Sequence, residues 1–259
     1  KDTYAQQTFL DKTKFIRFFA RMIRGERRFF IQAVKEGTPP PKERQYGEGK
    51  PAVGIDLSPS TLVAYSPGTA VIEELAPDCE DIAAALRRVN RAIDRSYRAT
   101  NSEAYNENGT FKKGCRLIPS KRCQKLQGKR KELFRKQAAV RKQSHEKAAN
   151  ELIAQSTDIK VEDTAVTSWT TRAKETTVNR KNGKIHSKKR FGKTVARRAP
   201  AMLLSIIDRK LKYRGYTLKR VISRQVKASQ YDHSTGQYRK KRLCDRWCVI
   251  DGHRVQRDL

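Results

Sequence analysis

The chain has 259 residues, with 58 lysines and arginines against 27 acids and a formal net charge of +31. Hydrophobic residues make up 37% and the mean hydropathy is −0.81, which is polar for a free-standing domain, though the length suffices for one large core or two modest ones. Such a charge repels itself in a compact chain unless a polyanion neutralises it, so nucleic acid is the expected partner. No apolar run approaches the roughly 20 residues of a membrane span, and no helix pattern has the large exposed apolar face of a membrane-surface binder. The five cysteines, Cys79, Cys115, Cys123, Cys244 and Cys248, are odd in number and scattered, which predicts a reducing, cytoplasmic setting. No secretory leader is expected. The opening Lys1 suggests a segment of a longer polypeptide.

Residues 13–36 alternate apolar with basic or polar side chains around Gly25. The pattern predicts a β-hairpin, Phe15 to Ile23 and Arg27 to Val34, ending a first region at 1–36. Three prolines followed by two glycines mark 37–50 as a linker. From there to 259 a second region begins with three short strands at 53–56, 61–66 and 71–75. Ile82, Leu86, Val89 and Ile93 have helical spacing, with Asp78 or Asp81 at the start. Residues 101–114 read as a loop. Ser120 to about Ala154 reads as one long or broken helix with Leu126, Leu133, Val140, Ala148 and Leu152 inward.

Residues 111–143 hold 13 lysines and arginines and one acid, Glu132. So few acids leave little for intrahelical ion pairs, and phosphate contact is the better reading for Arg122, Lys125, Lys129 and Arg130. "DIKVED" at 158–163 is an apolar strand ending in acids. A basic loop over 164–198 follows, with Lys188, Lys189, Arg190, Arg197 and Arg198 as further candidates for nucleic acid. Residues 199–215 form a helix with Pro200 in its first turn and Gly215 at its stop, and 216–223 a fifth strand. The order predicts an α/β fold: a mixed five-stranded sheet with flanking helices, as in the RNase H-like class.

Three carboxylates stand out by position. Asp56 ends the first strand of that sheet, Glu162 the fourth, and Asp258 sits at the C-terminus. A two-metal phosphodiesterase needs such a set, because two Mg²⁺ ions about 4 Å apart activate the nucleophile and stabilise the leaving oxygen. Mg²⁺ takes oxygen ligands, so acids rather than His or Cys are expected. Adjacent strand ends can supply Asp56 and Glu162, and a terminal helix the third acid. Taken singly, each is more often a turn or cap residue.

"VGIDLSPSTLVAYS", "IKVEDTAVTSW" and "LCDRWCVIDGHRVQRDL" resemble the three split RuvC motifs of the TnpB family, RNA-guided endonucleases of insertion sequences related to type V CRISPR effectors. "KKRFGKTVARRAPAMLLSIIDRKLKYRG" is similar to the segment between the second and third motifs, and the hairpin resembles strands of the preceding wedge domain. The resemblance implies a RuvC nuclease domain over 51–259, with Asp56, Glu162 and Asp258 as catalytic residues and ligands of two Mg²⁺ ions. It further implies a guide RNA that reads target DNA by base pairing, in a prokaryotic cytoplasm and at the nucleoid. A nuclease-inactive RNA-guided DNA binder and an RNA-independent RuvC-type nuclease or transposase are the alternatives. The family's four-cysteine zinc ribbon is degenerate at 224–253. Only Cys244 and Cys248 remain, three residues apart, with His233 and His253 nearby; packing cysteines are favoured, and zinc is not expected. Trp169 and Trp247 are candidates for base stacking or for packing. The sequence leaves the oligomeric state open.

Overall fold

A computed structural model of the chain describes residues 3–37, 46–179, 182–186, 191–232, 235–238, 247–250 and 252–256. They divide between two units: Lys1–Gly37 with Cys79–Val140, and Thr38–Asp78 with Arg141–Leu259. Among the described residues, no helix is long and apolar enough to cross a membrane.

The first unit opens with a helix absent from the sequence expectation, α1 (Thr3–Leu10), followed by β1 (Thr13–Ile23) and β2 (Glu26–Lys35). The expected hairpin is present, and Ile23 pairs with Glu26 across a two-residue turn. Both turn residues have positive φ, Arg24 at 54° and Gly25 at 86°. That conformation matches the twist of the strands and explains the glycine. Lys35 ties the hairpin back to its start, its Nζ donating to the carbonyls of Asp11 at 2.8 Å and Phe9 at 3.1 Å. Next comes α2 (Ala83–Thr100), where the Asp81 carboxylate accepts the Ala83 N–H at 2.8 Å, as expected of a helix-start acid.

The long helix, α3 (Lys121–Gln155), is unbroken over 35 residues. Ser120 Oγ accepts the Cys123 N–H at 3.1 Å, which places the start where the sequence suggested. The inward residues differ in part. Leu152 is buried and Leu126 and Leu133 are half-buried, but Val140 is 37% exposed, while Cys123, Ala149 and Ile153 are buried. The helix serves both units and Val140 is the last residue of the first, so one continuous stripe does not describe its packing.

The second unit is built on a five-stranded mixed sheet, as expected. Its strands are β3 (Val53–Leu57), β4 (Thr61–Ser66), β5 (Thr69–Glu74), β6 (Ile159–Glu162) and β7 (Lys219–Val221), in the order β5-β4-β3-β6-β7. The first three are antiparallel, and β6 and β7 join parallel to β3 and to each other. Alternation decides the covered face. Val53, Ile55 and Leu57 of β3 and Ile159 and Val161 of β6 are buried, whereas Gly54, Asp56 and Lys160 are exposed. The buried set packs on Ala149, Leu152 and Ile153 of α3 and on Leu203, Leu204, Ile206, Ile207 and Leu211 of a second helix, α5 (Pro200–Lys212).

The sequence placed one helix at 199–215 after a long loop. Instead a short helix, α4 (Gly192–Arg198), lies in the expected loop, and Ala199 breaks the path at φ 47° before Pro200 starts α5. Proline suits that first position because its missing N–H has no helical partner there. Gly215 does sit beyond the helix end at φ 79°, and the Tyr216 N–H returns to the Leu211 carbonyl at 3.1 Å. β7 is shorter than the expected 216–223 because a turn of helix, α6 (Ser223–Val226), follows it.

Gly47 enters the second unit by close contact. Its N–H donates to the Ile153 carbonyl at 2.8 Å, and a Cβ would lie 2.5 Å from the Gln155 carbonyl carbon and oxygen. Gly47→Ala is therefore expected to destabilise the protein by about 1–3 kcal/mol, because backbone rather than a flexible side chain must move. Chemical denaturation of the two proteins measures it.

Candidate active site and nucleic-acid surface

Parallel pairing of β3 with β6 aligns Val53 with Ile159, Gly54 with Lys160 and Ile55 with Val161. The next residues along these strands are Asp56 and Glu162. Both lie off the core-facing parity, so both project from the face opposite α3 and α5, where Asp56 is exposed, Glu162 half-buried and the neighbouring Val63 buried. Strands pair about 4.8 Å apart, so Asp56 and Glu162 are neighbours across the β3–β6 pair. Asp56 is level with Val63 on its other side, and Glu162 with Val221.

The end of β6 is held firmly. The Asp163 N–H donates to the Val221 carbonyl and the Thr164 N–H to the Glu162 carbonyl, both at 2.8 Å. Beside Glu162 is a small hollow lined by Leu57, Val166, Trp169 and Leu204. Trp169 is half-buried and packs against the core, which favours packing over base stacking for this ring. The donor set is all oxygen, and it fits a hard divalent cation. Among the described residues no group of three or more His, Cys, Asp or Glu side chains is assembled. Asp258 lies outside the described residues.

The approach to Asp258 differs from expectation. In place of a terminal helix, the described residues form a hairpin of β8 (Trp247–Ile250) and β9 (His253–Gln256), with Gly252 at φ 75° in its turn. Positive φ at that turn is a glycine preference that the Asp-Gly pair at 251–252 carries in the sequence. Cys248 lies on β8 and pairs in register with Val255, while Cys244 and His233 lie outside the described residues. Trp247 is 53% exposed, with the Arg254 guanidinium 4.8 Å from its ring centre.

The expected basic residues divide. Arg122, Lys125 and Lys129 are exposed on one face of α3, at spacings of three and four. Arg130 is half-buried, turned toward the side that carries buried Cys123. Lys188, Lys189 and Arg190 lie outside the described residues. Arg197 is half-buried.

Arg198 is a correction to the phosphate-contact expectation. It is 4% exposed, and its Nη1 donates to the carbonyls of Leu75 and Ala76 at 2.6 Å each, while Nη2 pairs with Glu74. Its own carbonyl accepts from Nε2 of buried His145 at 2.6 Å. Burial pushes the His145 imidazole below the ordinary histidine range, which favours this neutral ring. Composition alone placed Arg198 in a loop; α4 turns it inward, where its two terminal nitrogens meet three acceptors.

A second basic surface escaped the sequence reading. Arg87, Arg88, Arg91, Arg95 and Arg98 of α2 are all exposed and fall within about 100° of the helix circumference at 3.6 residues per turn. The signal was legible in "LRRVNRAIDRSYR" had the polar face been searched as well as the apolar one. Changing Arg87, Arg91 and Arg95 together to Gln is expected to reduce the salt slope of duplex binding by about 2–3, since each phosphate contact contributes about 0.9. Fluorescence anisotropy across a salt series measures it.

No protein-family model matches the chain, and no curated protein matches it.

Proposed function

We propose that the chain is an RNA-guided DNA endonuclease, resembling the TnpB family, that hydrolyses phosphodiesters at Asp56 and Glu162. The observation that carries the reading is the placement of these two acids near the ends of neighbouring parallel strands, on the same face of the sheet, in a chain of net charge +31. A charge of that sign gathers phosphates; a paired carboxylate site within it needs a purpose, and holding cations supplies one. Asp56 and Glu162 would hold Mg²⁺, which when bound lowers the pKa of water and stabilises the leaving oxygen. Asp258 is proposed as the third ligand. The chain's own part is to aim the carboxylates, through the β3–β6 register and the hydrogen bonds that hold Asp163 and Thr164.

The exposed rows on α2 and α3 would hold guide RNA or its duplex with target DNA by the backbone, independent of sequence. Base pairing would supply the sequence reading. The test is to purify the protein from cells that carry its genomic neighbourhood and sequence what co-purifies. A discrete RNA, needed for Mg²⁺-dependent cutting of a matching DNA, is expected. Efficient cutting by RNA-free protein would instead support an RNA-independent nuclease, and guided binding without cutting an inactive relative.

A further inference from the structure

β5 is one edge of the five-stranded sheet. The turn Pro67-Gly68 joins it to β4, so the flanking Ser66 and Thr69 exchange backbone hydrogen bonds, as do Ala64 with Val71 and Leu62 with Glu73. Alternation fixes the rest: the N–H and C=O groups of Ala70, Ile72 and Glu74 point away from the sheet. Among the described residues, none of these outward groups has a backbone partner. Edge strands are commonly guarded by a lysine, a proline or a bulge. β5, with the sequence TAVIEE, has none of these, and its register with β4 is unbroken. In a chain with 58 lysines and arginines it carries only acids, Glu73 and Glu74.

At the glutamate end, a cleft of about 340 Å³ lies between β5 and residues 144–151 of α3. Buried Leu62 and Leu75 and half-buried Ala148 line it, together with exposed Glu73, Asp78 and Glu151. Glu74 is engaged by Arg198, and Glu151 lies 3.9 Å from Lys147. Glu73 and Asp78 form no ion pair among the described residues. Glu73 shares the parity of Val71, which packs against the core, so a residue paired with Glu73 from outside projects toward the cleft. Ile72, 45% exposed, projects from the other face.

We propose that β5 docks an extended, basic segment of a partner protein, which adds to the sheet as an antiparallel sixth strand. Backbone hydrogen bonds to Ala70, Ile72 and Glu74 supply affinity, and side chains on alternate positions supply selectivity. The residue opposite Glu73 is a lysine or arginine. Its alkyl stem lies along Leu62, Leu75 and Ala148, and its charge meets Glu73 and Asp78. The adjacent residue, opposite Ile72, is apolar. Charge selects the occupant: the glutamates repel an acidic strand and attract a basic one. A second copy of this chain is the poorer fit, because it brings the same two glutamates and its own net charge of +31. The docking site is independent of Asp56 and Glu162.

The test uses the whole chain and a fluorescein-labelled peptide, Thr-Val-Lys-Val-Thr-Val-Thr, blocked at both ends and titrated by anisotropy. In the proposed register its valines face Ala70, Ile72 and Glu74, and its lysine faces Glu73. Saturable binding is expected. Methylating the valine amide nitrogens should weaken it at least about tenfold, because those N–H groups bond to β5, whereas methylating the lysine amide should leave it in place. Ile72→Pro removes the central outward N–H but none of the bonds to β4, and should also weaken binding at least about tenfold. Glu73→Lys should do the same through charge, with the melting temperature and the salt slope of duplex binding unchanged. Absence of saturable binding, or binding indifferent both to valine methylation and to Glu73→Lys, overturns the docking site. A dimer in sedimentation velocity that Ile72→Pro dissolves would give the edge to a second copy and overturn it as well.

Discussion

Alanine at Asp56 or at Glu162 is expected to lower Mg²⁺-dependent cutting by about 1000-fold, with the affinity for nucleic acid unchanged or slightly raised. The size follows from what each carboxylate would do. Cation stabilisation of a phosphoryl transition state amounts to several kcal/mol, and each 1.36 kcal/mol is a factor of ten in rate. The preserved affinity follows from location. Phosphate binding is assigned to the exposed arginines and lysines of α2 and α3, not to the acids. Asp56 occupies an exposed position near the end of β3, off the core-facing parity, so its replacement leaves the core cluster untouched. Single-turnover cleavage of a labelled substrate, read beside an anisotropy titration, measures both effects. Loss of binding in both variants, with the protein folded, would count against a cation-holding role.

Arg198→Ala is expected to do the reverse: a loss of about 3 kcal/mol in stability, a melting temperature lower by about 10 °C, and no change in the salt slope of nucleic-acid binding. The substitution strands the Leu75 and Ala76 carbonyls without donors and leaves a cavity where a 4%-exposed guanidinium sat. Breaking a buried ionic contact from one side costs about 3–5 kcal/mol. The lower end applies because Glu74 is 53% exposed and recovers water. Differential scanning fluorimetry and a salt series on one preparation test both parts. A stable variant with a reduced salt slope would return Arg198 to the phosphate surface. Arg122→Gln is the contrast: it should leave the melting temperature in place and lower the slope, since Arg122 is exposed on α3.

The hairpin, the three antiparallel strands and the start of α3 were legible because each rests on local signals. Gly25 marks a positive-φ turn, period-2 alternation marks β3, the apolar run Leu62-Val63-Ala64 marks β4, and Ser120 caps a helix. α1 and α4 were not legible. Neither has an apolar stripe long enough to stand out, and α4 ends at Ala199 in a left-handed conformation that its sequence does not announce. The basic character of residues 164–198 hid Arg198, because composition treats every cation in a stretch alike. Tertiary packing distinguishes the one whose guanidinium meets three acceptors.

The sequence by itself determined the charge, the expectation of a mixed five-stranded sheet and the presence of an acid at the end of β3 and of β6. Alternation sorts the residues of a strand into two sets, but it does not say which set is covered. Only the tertiary structure decided that. Ala149, Leu152 and Ile153 of α3 and the apolar side of α5 cover Val53, Ile55 and Val161, and this puts Asp56, Glu162, Gly54, Tyr65 and Lys160 on the face opposite them. The physical reason is range. Turn and strand preferences act within a few residues, whereas bringing Gly54 beside Lys160 and burying Arg198 under Leu75 join positions more than 100 residues apart.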